Sequence, residues 1–286
     1  MKLRPVKQII KAMAVTEGAG VTMHRTIGTP ALKNLDPFLM LDLFHSDDPD
    51  DYIAGFPDHP HRGFNTFTYM LDGHMQHQDS MGNKGDLKPG GAQWMKAASG
   101  VIHSEMPQQS AGMMRGFQLW INLPAEQKMN SPGYQDFSPE VFSLVEDEGI
   151  RVKILSGEYK GQHGAVDDPY TQVQFLDVTL DENSTFVHRL DPGLQGFIYV
   201  FEGDATLSET ALPQHSFAVL GEGDTLEVRA GNNGTRFIMV VGKPIGEPIV
   251  QYGPFVMNTR EEIEHAFADF RDGKLVREKA NKTGER

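Results

Sequence analysis

Two short motifs carry side chains that could bind a metal ion. His59-Pro60-His61 places two imidazoles two residues apart, and His103-Ser104-Glu105 places an imidazole and a carboxylate at the same spacing. Residues i and i+2 of a β-strand point to the same side of the sheet, so each motif would present both side chains together. Three imidazole nitrogens and one carboxylate oxygen suit a divalent first-row metal and leave positions open for water, substrate or dioxygen.

Spacing alone does not separate a metal site from chance in a chain with 11 histidines and 39 acidic residues. A further histidine–carboxylate pair, His45/Asp47, lies in an acidic run that is typical of a solvated loop, and another begins at His77. His74 and His77 flank the turn at Gly73, where we expect both imidazoles to face solvent.

The composition excludes several classes of protein. At 286 residues the chain should form one large or two ordinary domains. The absence of cysteine excludes disulfide scaffolds, thiolate zinc sites, iron–sulfur clusters and a cysteine nucleophile. A net charge of −13 repels phosphate backbones, so we expect no direct nucleic-acid binding. No signal sequence or membrane-length apolar run is apparent, which predicts a cytoplasmic protein with no membrane contact.

Most of the chain is expected to form β-strands. Apolar or alternating runs of four to eight residues end at glycine, proline or aspartate, as strands do. The clearest predicted strands are Phe64–Leu71, Gly116–Leu123, Val173–Leu180, Phe197–Phe201 and Arg236–Val241.

One short helix is predicted near residues 259–272. Thr259 and Glu262 have the spacing of a capping box, and Gly273 is placed to end the helix. The predicted apolar face consists of Ile263, Phe267 and Phe270. The charged residues from Arg277 onward are expected to fray.

A weak internal repeat suggests two copies of one β unit. Residues 68–73 resemble residues 198–203, and each segment is followed by a glycine-rich turn and further strands. We therefore predict an all-β protein with two tandem barrels or jelly rolls, over residues 1–132 and 133–286, the helix belonging to the second. At the offset of 130 residues, Arg189 and Asp191 replace His59 and His61. Only the first copy is expected to hold a metal.

The sequence resembles the pirins, a family of the cupin superfamily. The similarity is carried by FPDHPHRGF (Phe56–Phe64), GVIHSEMP (Gly100–Pro107), FQLWINLP (Phe117–Pro124) and PIVQYGPFVMNT (Pro248–Thr259). The resemblance implies a bicupin, meaning two tandem double-stranded β-helix barrels, with a metal in the N-terminal barrel alone.

The family's ligand positions match His59, His61, His103 and Glu105, the four residues that the spacing singles out. The resemblance implies one divalent metal ion, most often iron, so we expect Fe(II). The same ligands would accept Mn, Co, Ni, Cu or Zn. Asn65 stands where the family commonly has glutamate, and we expect this departure to spare the metal.

Some bacterial pirins resemble quercetin 2,3-dioxygenases, which implies an iron-dependent enzyme that cleaves a small aromatic, flavonol-like substrate with O2. Glu105 would stay a ligand or act as the catalytic base. Arg62 would face an anionic substrate or form a structural salt bridge. Aromatic and thioether side chains that would form either the pocket wall or the core are Phe56, Phe64, Met95 and Phe117.

Two other functions are compatible with the same residues. A non-enzymatic regulatory protein would bind a transcription factor or a metabolic enzyme, with the metal as a redox switch. Because of the acidic charge, such a role would act through a protein partner and not through DNA. The third possibility is a β scaffold with a vestigial metal site. A monomer is the default expectation.

Overall fold

The computed structural model of the protein describes residues 1–80, 82–277 and, for the backbone alone, 281–282. The strands in the first half are β1 (Val6–Ile10), β2 (Met13–Glu17), β3 (Val21–Ile27), β4 (Phe38–Ser46), β5 (Phe56–His61), β6 (Phe64–Asp72), β7 (Met75–Asp79), β8 (Lys84–Leu87), β9 (Ala92–Lys96), β10 (Val101–Pro107), β11 (Met114–Asn122) and β12 (Gly133–Phe137). Those in the second half are β13 (Ser143–Asp147), β14 (Ile150–Ser156), β15 (Glu158–Tyr159), β16 (Gln162–His163), β17 (Gln174–Leu180), β18 (Thr185–Arg189), β19 (Gln195–Leu207), β20 (Thr210–Leu212), β21 (Phe217–Leu220), β22 (Thr225–Gly242), β23 (Val250–Tyr252), β24 (Phe255–Met257) and β25 (Asn281–Lys282). An α-helix, α1 (Arg260–Arg271), follows β24, and single 3₁₀ turns lie at Pro49–Asp51, Ala125–Gln127 and Pro139–Val141.

The predicted all-β fold is confirmed. Each of the five predicted strands lies on an observed strand, and the ends differ by one or two residues or the observed strand is longer. The apolar runs indicated strands because several of these segments, such as Phe64–Leu71 and Phe197–Phe201, are buried on both faces. No helix in the described part of the chain is long and apolar enough to cross a membrane.

The strands form two compact units, each assembled from three stretches of chain. Unit 1 consists of Met1–Ala12, Thr29–Pro37 and Phe142–Pro244. Unit 2 consists of Met13–Gly28, Phe38–Val141 and Ile245–Arg286. The boundary between residues 132 and 133 stays a prediction.

Unit 1 is built on a nine-stranded sheet with the order β1-β21-β19-β22-β17-β14-β13, to which β18 and β20 add at β22 and β19. Its interior is a continuous apolar cluster that includes Val152, Leu176, Phe186, Val200 and Phe237. Side chains fill this core.

Unit 2 contains an eight-stranded sheet with the order β2-β3-β4-β11-β6-β9-β12-β25 and a four-stranded sheet with the order β5-β10-β7-β8. The small sheet carries both histidine motifs, on β5 and β10. Its partners β7 and β8 complete an antiparallel ladder, so the positions of all four strands are fixed by main-chain hydrogen bonds.

Helix α1 begins and ends where the sequence predicts. Thr259 accepts a hydrogen bond from the backbone of Glu262, and the Glu262 carboxylate accepts one from the backbone of Thr259, which completes the capping box. The predicted apolar face is wrong in part. Ile263 is buried, but Phe267 and Phe270 are 36% and 41% exposed, because they pack on one side only, against the ring of Phe255. The end expected to fray lies mostly outside the described residues.

Candidate metal centre

Strands β5 and β10 are neighbours in one sheet and place the two histidine motifs side by side. They pair antiparallel, with His103 opposite His59 and Glu105 opposite Phe56, and the register shifts between His103 and Glu105. Ring centroids lie 4.7 Å apart for His59 and His61, 4.3 Å for His59 and His103, and 5.0 Å for His61 and His103. One ligand atom from each of the three histidines lies within 4.8 Å of the others. This buried cluster could hold a metal ion.

Two histidines in the cluster, His61 and His103, are suited to bind a metal ion as neutral ligands. Burial, followed by the neighbouring imidazoles, lowers the pKa of His61 and of His103 well below the usual value. The Nδ1 atom of His59 lies 2.9 Å from the Pro57 carbonyl, to which it donates, so Nε2 of His59 carries the lone pair. The cluster can therefore offer unprotonated nitrogen at neutral pH.

Several polar atoms at this point have no hydrogen-bond partner although they are buried. They are both ring nitrogens of His61, Nε2 of His103 and Oε1 of Glu105. Unpaired buried polar atoms are costly, and few are tolerated in folded proteins. A bound cation would satisfy the histidine lone pairs, so the three histidines fit a metal ion, whereas Glu105 lies outside the group of ligand atoms that are within 4.8 Å of one another.

Glu105 is almost completely buried and is held by a short chain of side chains. Gln118 donates to its Oε2 over 3.2 Å, and Thr68 donates to the Gln118 side-chain oxygen over 3.0 Å. Burial raises the pKa of Glu105, while His59 and the hydrogen bonds from Gln118 and Thr68 oppose the rise. This arrangement leaves Oε1 available to a ligand or a proton. Sequence reasoning found Glu105 but missed Gln118 and Thr68, which lie on β11 and β6.

A cavity of about 470 Å³ reaches His59, His61 and Glu105. That volume lies within the range of ordinary small-molecule sites. Apolar side chains in its wall are Met23, Met40, Phe44, Phe56, Met75 and Trp120. Of the four residues expected to form either wall or core, Phe56 lines the cavity, whereas Phe64, Met95 and Phe117 are buried in the core.

A charged cluster that the sequence did not reveal borders the same cavity. Arg25 makes two hydrogen bonds of 2.8 Å to the buried carboxylate of Asp42, and its third nitrogen lies 2.9 Å from Glu17. These residues come from β2, β3 and β4, so no short sequence motif connects them. Arg62 forms the structural salt bridge, 2.9 Å from Asp269, and not a contact with the cavity.

The expectation that His77 faces solvent is wrong. Its side chain is fully buried, and its Nδ1 lies 3.1 Å from Nδ1 of His103. Burial lowers the pKa of His77 to about 4 against an opposing effect of Asp79. His77 shares a strand face with buried Met75 and Asp79, so the alternation along β7 was the available signal. His74 is half-buried, 3.1 Å from Asp86.

Unit 1 has no equivalent histidine cluster among the residues that the structure describes. On β22 of unit 1, Arg236 forms an ion pair with Asp177. His188 is held 3.2 Å from the side chain of Gln174. That only the first copy holds a metal stays a prediction.

Comparison with known proteins identifies the family of this chain. The pirin family model matches residues 20–121, and the model of the pirin C-terminal cupin domain matches residues 175–276. The chain belongs to the pirin family. This pirin is 47% identical over 283 residues to a Pseudomonas aeruginosa protein named "Putative quercetin 2,3-dioxygenase", covering 96% of this chain and 99% of that protein. It is 44% identical over 277 residues to a pirin-like protein of Caulobacter vibrioides, covering 96% and 100%.

The structure of a quercetin 2,3-dioxygenase from Acinetobacter baumannii superposes on this pirin with a TM-score of 0.88 and 30% sequence identity, covering 96% of this chain and 98% of that one. The family assignment and the bicupin fold are thereby confirmed.

Proposed function

We propose that this pirin is a metal-dependent dioxygenase that cleaves flavonols such as quercetin with O2. The observation that carries the proposal is the cavity of about 470 Å³, which joins an apolar wall to the buried histidine cluster and Glu105. The relatives named for quercetin 2,3-dioxygenase support the same chemistry.

In this proposal His59, His61, His103 and Glu105 hold one divalent ion, Fe(II). The unpartnered nitrogens of His61 and His103 and the unpartnered Oε1 of Glu105 support the assignment. Iron, when bound, supplies the redox chemistry with dioxygen that amino-acid side chains lack. Three imidazoles and a carboxylate also bind other first-row divalent ions, so the metal has to be measured.

The protein's own contribution is to orient a planar aromatic substrate and to manage its proton. Phe44, Phe56 and Trp120 offer ring faces and edges to the substrate and exclude water. When it is not bound to the ion, Oε1 of Glu105 takes the proton of the flavonol hydroxyl, a role suited to a carboxylate whose pKa is raised by burial. Gln118 holds Oε2, so the carboxylate keeps its orientation while Oε1 accepts the proton.

The regulatory alternative predicts different behaviour. A protein that only binds a partner needs a surface that responds to the metal, whereas a cavity of small-molecule size beside the cluster serves a small molecule. The cavity therefore favours the enzyme. Cytoplasmic location and a monomeric state remain part of the proposal.

The decisive experiment measures oxygen consumption with quercetin after anaerobic reconstitution with Fe(II), with the metal content determined in the same sample. We expect oxygen uptake proportional to bound iron. Glu105→Ala should abolish uptake, and His61→Ala should lose iron and activity together. His188→Ala is the matched control, because it removes a largely buried histidine in unit 1 and should leave both quantities unchanged.

Two results would contradict the proposal in different ways. Protein that fills with iron but consumes no oxygen would exclude quercetin as the substrate and favour the regulatory function. Failure of the wild-type protein to retain any divalent metal would refute the assignment of the four ligands.

A further inference from the structure

His77 contacts the histidine cluster from the side opposite to β5. Strand β10 lies between β5 and β7, and in the β10–β7 ladder Glu105 lies opposite His77. The Nδ1 atoms of His77 and His103 are 3.1 Å apart, with ring centroids separated by 4.8 Å. This distance is a hydrogen bond between two imidazoles, so one nitrogen carries the proton and the other accepts it.

The direction of this hydrogen bond determines whether His103 can bind a metal through Nε2. When His103 donates from Nδ1, its Nε2 has a free lone pair, and His77 must carry its own proton on Nε2. When His77 donates from Nδ1, His103 carries its proton on Nε2 and has no lone pair to offer there. Nε2 of His103 has no other hydrogen-bond partner, so its protonation follows from the contact with His77 alone.

We infer that His77 is a positioning residue that orients His103. In the metal-bound protein, Nδ1 of His77 accepts a hydrogen bond from the Nδ1–H group of His103. The inference rests on the proposed metal site and adds a fifth residue that does not touch the ion. Histidine ligands commonly donate their second ring N–H to a carboxylate, a backbone carbonyl or a water molecule. Here the acceptor is a neutral imidazole, which can also donate.

This difference has a structural consequence. A carboxylate or carbonyl acceptor locks the tautomer of the ligand permanently, because it can only accept. An imidazole acceptor permits both directions in the metal-free protein, and metal binding selects one of them. Loading the site is therefore coupled to a change of tautomer at His77, at a ring that never contacts the metal.

The direct test is nitrogen-15 NMR of the histidine rings, with Zn(II) as a diamagnetic probe. In the Zn(II)-loaded wild-type protein we expect His103 to be protonated at Nδ1 and His77 at Nε2. In the metal-free protein the signals of both rings should show mixed tautomers. Protonation of His77 at Nδ1 in the Zn(II)-loaded protein would overturn the inference. This experiment needs no variant, so it does not depend on whether a mutant folds.

A second test measures the affinity for Zn(II) by competition with a chelator. His77→Leu leaves the Nδ1–H of His103 buried without an acceptor, and we expect the affinity to fall about 10- to 100-fold. His77→Asn should restore most of that loss, because its side-chain oxygen can replace Nδ1 of His77 as the acceptor. His188→Leu, with the same substitution at a histidine of unit 1, is the control and should bind Zn(II) like the wild type.

The outcomes separate this inference from the proposal on which it rests. If wild-type protein binds one Zn(II) and His77→Leu binds it equally well, the role of His77 is wrong and the metal site stands. If the wild-type protein binds no Zn(II), both are wrong. Thermal unfolding of each variant is recorded alongside, and the ring tautomers decide the matter if His77→Leu is not folded.

Discussion

The buried arginine next to the metal motif offers a quantitative test of what holds helix α1 in place. Arg62 directly follows His61, is 2% exposed, and donates to Asp269 of α1 over 2.9 Å. The same guanidinium donates to the Ser99 carbonyl over 2.6 Å and to the Leu275 carbonyl over 3.4 Å. We predict that Arg62→Met destabilises unit 2 strongly.

The expected magnitude follows from these partners. An acceptor left unpaired in the interior costs about 1–3 kcal/mol, and Arg62→Met leaves two such acceptors, the carbonyls of Ser99 and Leu275. Asp269 keeps a second partner, Arg277 at 2.7 Å, so its charge is not left alone. We therefore expect Arg62→Met to lower the free energy of unfolding by about 2–5 kcal/mol, mainly through the two unpaired carbonyls.

Arg277 provides a control that isolates burial. It binds the same oxygen of Asp269, but its side chain is 53% exposed. Exposed ion pairs contribute about 0–1 kcal/mol, so Arg277→Met should have little effect on stability. Because the same carboxylate is involved in both cases, a large difference between the two variants measures the contribution of burial and of the backbone contacts.

Urea unfolding followed by tryptophan fluorescence is the appropriate assay. The two tryptophans, Trp94 and Trp120, both belong to unit 2, so the signal reports on the unit that contains the arginine. In a double-mutant cycle of Arg62→Met with Asp269→Asn we expect a coupling of about 1.5–3 kcal/mol, the range for hydrogen bonds to charged groups. A coupling near zero, or equal losses for Arg62→Met and Arg277→Met, would refute the reasoning.

Three further predictions concern single positions. Lys128→Met removes an ammonium that bonds three buried oxygens, those of Gly63 and Val256 among them, and should cost about 3 kcal/mol or more in urea unfolding; a loss below about 1 kcal/mol would contradict it. Gly63, at a φ of +94°, has no room for a side chain, because a Cβ there would lie 1.9 Å from the Val256 oxygen. Gly63→Ala should therefore abolish folding or lower the free energy of unfolding by at least about 3 kcal/mol. Gly112 has a similar φ of +93° but no atom within 4 Å of the added Cβ, so Gly112→Ala should lower it by only about 1 kcal/mol, through the strained backbone. Burial lowers the pKa of His188 to about 4, so the unfolded chain binds a proton at this histidine before the folded protein does, and the free energy of unfolding falls as the pH drops from 6.5 to 4. His188→Phe should reduce the loss of stability between pH 7 and pH 4.5 by about 2.5 kcal/mol, measured by circular dichroism in urea. An unchanged loss of stability would show that His188 is not buried in its neutral form.

Local patterns in the sequence were sufficient for most of the fold. Apolar or alternating runs that end at turn residues indicated the strands, because the side chains of these strands are mostly buried. The capping box indicated α1 because its hydrogen bonds join residues three apart. The motifs around His59 and His103 identified the candidate ligands because ligands two residues apart on one strand need no knowledge of the tertiary structure.

The surroundings of the site were not predictable in this way. Arg25 meets Asp42 across a strand pair, and Gln118 meets Glu105 from another sheet, so these contacts depend on strand register and sheet packing. His77 was misjudged because a histidine beside a turn is more often exposed. The alternation along β7 places His77 on the same face as Met75, but the burial of that face also depends on β7 pairing with β10.

The interleaving of the two units has a consequence for how the protein is made. The cavity wall includes Gln251, Gly253 and Pro254, which follow the whole of the 142–244 segment of unit 1 along the chain. A ribosome therefore synthesises the histidine motifs early and completes their cavity only after that long segment has emerged. No single cut releases unit 2 intact, because its three stretches alternate with those of unit 1. Metal loading before residues 251–254 have emerged would take place at histidines that still lack part of their wall.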